Sequence, residues 1–341
     1  STTTTTVAPS TTTTTVAPST SYLDYKELKI FRASTISDEH IRLLEDYVRY
    51  SERSFFKDPR VKVQNLYPIL IPQLDRNNYQ SAIDLETEYC DYLMVTYPDS
   101  HTNSTCSWGQ KQSDGSIGLF TDNGQPSGSS ISGYKDTNHC CWLFISNSHD
   151  LPENADSMAY VTIHEMFHIF QLSNFIDIAK DREELKRFSG KIVGDDTEEH
   201  PFWIEGNATY FQFRYYFKNT KDLTYFRQQM ERGLFTCYCW PEDKPTIIER
   251  YLNGPKLYDV TWNSDWAVGY QVGAWFTAYL ANIHGEDKIF DFWFNTHTGK
   301  LFPENFEETF GKDYKTYVDE FESFIRNNDK STIMSILPSD A

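Results

Sequence analysis

The chain has 341 residues, 39% of them hydrophobic and 16% aromatic, which is enough to bury a substantial core and too apolar for a disordered chain. Its 31 Lys and Arg stand against 49 Asp and Glu, a formal charge of -18 that repels phosphate backbones and anionic lipids and argues against nucleic acid as a partner. No apolar run reaches the length of a membrane span.

Residues 1–18 are the unit S-T-T-T-T-T-V-A-P written twice. Thr and Pro without charge cannot build a core, so residues 1–24 read as a mucin-like linker, either a spacer that tethers the protein to a surface or a neutral tail. The chain opens inside this repeat without a Met, so a processed or partial chain is expected. Six cysteines, an even count, and the sequon Asn103-Ser104-Thr105 join the stalk in pointing to an oxidising, extracellular setting, secreted or at the cell surface. Cys140 and Cys141 are adjacent, and Cys237 and Cys239 nearly so; bridges within either doublet would be strained, so each is expected to pair elsewhere.

The folded part is expected from residue 25. A short strand is predicted at 28–32, then a helix over 38–55 capped by Ser37, with Ile41, Leu44, Tyr47 and Val48 at helical spacing. Apolar runs at 65–74, 92–97 and 141–146 read as strands. Residues 98–136 read as a long loop with a strand-like piece at 117–120.

Residues 160–171 read Y-V-T-I-H-E-M-F-H-I-F-Q. On a helix, His164 and His168 lie one turn apart on one face and can present two imidazole nitrogens to one metal ion. Glu165 stands beside the first of them, where a carboxylate can act as general base on a water. The alternative is two His on one helix by chance, and a third ligand decides between them. Residues 177–191 read as a helix and turn. The acidic run 195–199 before His200 reads as a solvated loop rather than a calcium site or an extra zinc ligand. Glu205 then opens an apolar, helix-patterned run. A buried Glu there calls for a cation or a metal, although a helix N-terminus also favours a carboxylate. A second sequon, Asn207-Ala208-Thr209, lies beside Glu205 and is expected to be unused.

H-E-M-F-H followed by W-I-E-G-N-A-T-Y resembles the gluzincin metallopeptidases, the superfamily of thermolysin, the zinc aminopeptidases and the clostridial collagenases. The segment Y-Q-V-G-A-W-F-T-A-Y-L at 270–280 is similar to the Y-x-x-G helix start of the zinc aminopeptidases. The likeness covers roughly residues 160–325. It implies that His164, His168 and Glu205 hold one zinc per chain, that Glu165 activates the attacking water, and that Tyr270 stabilises the tetrahedral intermediate, with Tyr210 a weaker candidate for that role. The chain departs from its relatives in two places. The G-x-M-E-N signature of the aminopeptidases is missing, and Thr209 stands where thermolysin-like enzymes carry an Asp supporting the first His.

The fold expected is α+β and zincin-like, in two lobes. Residues 25–172 would form a mixed sheet with helices ending in the zinc helix, and 173–341 a mostly helical lobe. The function expected is an extracellular zinc endopeptidase acting on peptides or proteins. The alternatives are an inactive adhesion module of the same fold and a zinc hydrolase of a non-peptide amide.

Overall fold

The computed structural model describes residues 29–32, 36–61, 69–70, 130–134, 139–144, 155–175, 178–237 and 244–340, with single positions at Asp84, Glu88 and Asp91. The expected strands at 92–97 and 117–120 and the sequon at Asn103 lie outside these residues.

Strand β1 (Lys29–Ile30) pairs in parallel with β2 (Ile69–Leu70), and β3 (Ser130–Tyr134) pairs antiparallel with β4 (His139–Phe144). The two pairs are separate sheets. Among the described residues everything else regular is helical, which overturns the expected α+β class with its N-terminal mixed sheet: the described part is mostly helical. The apolar runs at 28–32 and 65–74 end as a two-residue pairing and the run at 141–146 as part of a single hairpin-like pair, because a strand needs a partner that its own sequence does not specify. β3 falls inside the stretch expected to be a loop.

Helix α1 (Asp38–Phe55) has the expected bounds, and the Ser37 side chain accepts from the backbone N–H of His40. Helix α2 (Ala155–Ser173) carries the two His. Helix α3 (Arg182–Phe188) is capped by Asp181, with two Glu in its first turn and Lys186 and Arg187 in its last, charges that suit the helix dipole. Helices α4 (Ile204–Thr220), α5 (Leu223–Phe235) and α6 (Ile247–Leu252) follow. Helix α7 (Trp262–His284) stops at Gly285, whose φ of 87° suits glycine. After α8 (Glu286–Asn295) come α9 (Phe302–Phe310), α10 (Tyr314–Asn327) and α11 (Lys330–Met334). No described helix is long and apolar enough to cross a membrane.

Helix α2 is buried on nearly every side, which explains its unbroken apolar run. Phe167 packs edge-on to Phe55 of α1 at 5.2 Å and stacks on Phe211 of α4 at 4.7 Å, and Phe170 meets Phe290 of α8 at 5.2 Å. Helix α4 is buried from Ile204 to Phe217, between α2 and α7. Its contact with α7 is backbone on backbone: a Cβ on Gly206 would sit 2.5 Å from the carbonyl carbon of Gly273. Gly206 directly follows Glu205, and Gly273 lies one turn beyond Tyr270, so this glycine contact sets how close those two side chains come.

Candidate metal centre

The site is built from three buried helices. On α2, His164, His168 and Gln171 follow at helical spacing and share one face. On α4, Glu205 in the first turn and Gln212 two turns later share the face turned toward α2. Tyr270 comes from α7. It lies eight residues after Trp262 and five after Asp265, where the backbone leaves helical geometry, so it stands near the start of the second part of that helix.

His164, His168 and Glu205 each turn one ligand atom to a common point, and all three side chains are buried. The His168 Nε2 lies 3.0 Å from the His164 Nε2 and 2.9 Å from the Glu205 Oε2, and the third side of the triangle is 3.4 Å. The opposite ring nitrogens are engaged elsewhere. His164 Nδ1 lies 2.9 Å from Gln212 Oε1, and His168 Nδ1 lies 2.6 Å from Gln171 Oε1. The Gln171 amide is itself oriented, since its Nε2 donates to the Ile204 carbonyl at 3.1 Å. An amide oxygen accepts, so each Nδ1 carries the hydrogen and each Nε2 of a neutral ring is left with a lone pair.

Three acceptors and no donor therefore meet within 3.4 Å. Such a group is unfavourable unless a cation, either a proton or a metal, occupies the centre. Tetrahedral zinc with bonds of about 2.0–2.2 Å holds its ligand atoms about 3.3–3.5 Å apart, so the triangle needs to open by only a few tenths of an ångström. Two imidazoles and one carboxylate, with both rings fixed by outer hydrogen bonds, form a donor set that fits zinc. The buried His-His-Glu group could thus hold a metal ion.

The charges around it differ in character. Burial works to raise the Glu205 pKa, but His168 and His164 outweigh it, and the carboxyl is held well below its ordinary range. At Glu165 burial wins. Burial pushes its pKa up to about 7, with Glu205 adding to the rise while His164 and Lys191 oppose it. A carboxyl poised near neutrality next to a cation site is what a general base requires. Burial, and next the charge of Glu205, drive the Tyr270 phenol far above its ordinary value, so it stays a donor. The Tyr270 ring lies parallel to that of His164, 6.2 Å between centroids and 8° between planes.

The five sequence-predicted residues His164, Glu165, His168, Glu205 and Tyr270 thus converge. Tyr210 does not join them, because its hydroxyl donates to Glu286 at 3.0 Å. His200 is a buried structural residue, its two ring nitrogens 3.1 Å from the Val260 carbonyl and from Asp196. Asn207 is wholly buried, accepting from the Trp293 indole and donating to Thr277, so its sequon is closed in the folded protein. Gln171 and Gln212 were missed in the sequence. Thr209, where an Asp was looked for, is buried with no hydrogen-bond partner for its hydroxyl among the described residues. The signal for the two glutamines was there: each is an amide in a buried, apolar run at helical spacing from a ligand, i+3 from His168 and i+7 from Glu205.

No family model matches this chain, and neither the curated proteins nor the solved structures contain a match.

Proposed function

We propose that this protein is a zinc-dependent hydrolase of peptide bonds, of the gluzincin type that its H-E-x-x-H and E-G-x-A-x-Y segments resemble. The observation that carries the reading is the buried triangle of two Nε2 lone pairs and one carboxylate oxygen, with both rings locked from behind by glutamines. When bound, zinc supplies a Lewis acid that acidifies a water and polarises a carbonyl.

The protein's own groups divide the remaining work. His164, His168 and Glu205 hold the ion. Glu165 takes the proton of the attacking water and later passes it to the leaving amine, a double duty that suits a carboxyl poised near pH 7. Tyr270, held neutral by burial, donates its hydrogen bond to the oxyanion that develops on the substrate carbonyl. Cys237, buried and disulfide-bonded, supports an extracellular setting. The absence of G-x-M-E-N favours attack on internal bonds.

The experiment is metal analysis together with cleavage of peptides blocked at their amino ends, run on the wild type and on Glu165→Gln. About one zinc per chain and internal cleavage by the wild type alone are expected. Protein never exposed to chelator that carries no zinc, or turnover confined to free amino-terminal residues, sinks the reading.

A further inference from the structure

An aromatic path runs from solvent to the His-His-Glu triangle along the first turns of α7. Trp266 is the most exposed large hydrophobic side chain among the described residues, at 51%. Its ring meets Tyr270 edge-on at 5.9 Å, and Trp262 meets the same Tyr270 ring edge-on at 5.5 Å. Tyr270 in turn lies parallel to His164. A single exposed Trp is ordinary on a protein surface. This one differs because its ring partner among the described residues is the residue that leads to the His-His-Glu group.

The platform is also held stiffly. Helix α7 breaks at Asp265, where φ is -153° and ψ is 76°, so it restarts with Trp266 in its first turn. The Asp265 carboxylate caps the restart by accepting from the Val268 N–H at 3.2 Å, and Arg250 holds the carboxylate from the other side. The turn before the break carries a reciprocal cap between Thr261 and Ser264. The Trp262 N–H donates to the Glu199 carbonyl at 3.1 Å, and Glu199 is paired with Lys186 and Lys191. The backbone that carries both indoles is therefore held in place beside Tyr270, which lowers the ordering cost for a ligand to meet.

We propose that Trp262 and Trp266 form a specificity subsite of this centre that takes an apolar, preferentially aromatic, side chain of a peptide substrate. The inference rests on the peptidase reading above. The two ring-to-ring steps place Trp266 within about 12 Å of His164. An extended peptide advances about 3.3–3.6 Å per residue, so the side chain received lies within three or four residues of the scissile bond. Sugar rings also stack on indoles, but sugar recognition adds hydrogen bonds from free polar side chains. Here the polar neighbours Asp265 and Arg250 are spent on each other, Arg250 also donating to the Cys237 carbonyl. Among the described residues the Arg250 cation beside Asp265 is already paired, and an acidic side chain is repelled by a chain of net charge -18.

The test uses a peptide blocked at both ends, chosen from a cleaved library, with Phe, Ala, Glu or an O-glycosylated Thr placed in turn at each position flanking the cleaved bond. Wild type, Trp266→Ala and Trp266→Phe are compared by kcat/KM. Binding to zinc-loaded Glu165→Gln, with and without Trp266→Ala, is measured by calorimetry. The wild type should prefer Phe over Ala at one fixed position by about tenfold, the effect of one buried aromatic contact. Trp266→Ala should bring that ratio toward one, mainly through KM, and weaken Phe-peptide binding by a similar factor; Trp266→Phe should keep most of it. Cleavage with an undiminished Phe preference in Trp266→Ala overturns the subsite and leaves the peptidase reading standing. A Trp266-dependent preference only for the glycosylated peptide overturns the apolar assignment. A wild type that carries zinc and neither cleaves nor binds any peptide overturns both.

Discussion

The Nδ1–H of His164 donates to Oε1 of Gln212, a residue two turns along α4 from Glu205. One helix therefore supplies both the carboxylate of the His-His-Glu group and the group that sets the tautomer of the first imidazole. A carboxylate in that position would add a negative charge; an amide orients the ring and adds none. With Gln171 doing the same for His168, both rings are backed by neutral amides and Glu205 is the one carboxylate of the His-His-Glu group.

Losing either amide should therefore weaken metal binding without abolishing it. Gln212→Ala and Gln171→Ala should each raise the zinc dissociation constant about 10- to 100-fold, as for other outer-shell partners. Gln212→Glu should keep the hydrogen bond and tighten zinc relative to the wild type. Competition against a chelating dye measures all three, and unchanged affinity in both alanine variants would show that the rings need no support.

The three inner groups should separate by their readouts. Glu165→Gln should keep its zinc and lose about 100- to 10,000-fold in rate. Glu205→Gln should lose zinc and activity together, because it removes a charged ligand. Tyr270→Phe should keep zinc and lose on the order of 100-fold. Glu165 also predicts a pH profile. Its base form appears as pH rises through a pKa that burial lifts to about 7, and a bound cation can only lower that value. The rate should thus rise with pH to a limb with its midpoint no higher than about 7, and a limb well above 8 would assign the base elsewhere.

The glycine contact between α4 and α7 is a stability prediction with a functional readout. Gly206→Ala would place a methyl 2.5 Å from the Gly273 carbonyl carbon, and backbone there cannot rotate away. The helices must part, at a cost of about 1–3 kcal/mol, and Glu205 moves with them. Both the unfolding midpoint and the zinc affinity should fall. A variant as stable as the wild type, with full zinc binding, would mean that the close approach is dispensable.

Away from the metal, Glu286 at the start of α8 joins Arg214 at 2.6 Å, Lys218 at 2.7 Å and the Tyr210 hydroxyl at 3.0 Å. Burial works to raise its pKa, but Lys218 and Arg214 outweigh it and hold the carboxyl below its ordinary value. A depressed folded-state pKa means stability that is fully present above the unfolded value and lost as pH falls through the folded one. Glu286→Gln leaves the buried Arg214 without its counter-charge, at a cost of about 3 kcal/mol at neutral pH. The difference from wild type should shrink on acidification below about pH 4. Urea titrations at pH 7 and pH 3.5 check this, and a difference that grows on acidification would refute it.

By itself the sequence determined what depends on near neighbours in the chain. The i, i+4 spacing of His164 and His168, the Ser37 cap of α1 and the Gly311 stop of α9 were all legible, because helix periodicity and capping are local. Glu205 was legible as a carboxylate stranded in an apolar run. The tertiary structure decided what depends on distant partners. The apolar runs near residues 69–71 and 141–146 yield only small two-stranded pairs in a mostly helical protein, since strand pairing is settled by partners far along the chain. Tyr270 was the stronger candidate and Tyr210 the weaker, and packing set the first beside His164 and gave the second to Glu286. Gln171 and Gln212, uncharged and outside any motif, acquire a role only when α2 and α4 lie side by side. A neutral amide carries no electrostatic signature along the chain, and its function resides in which ring nitrogen it faces.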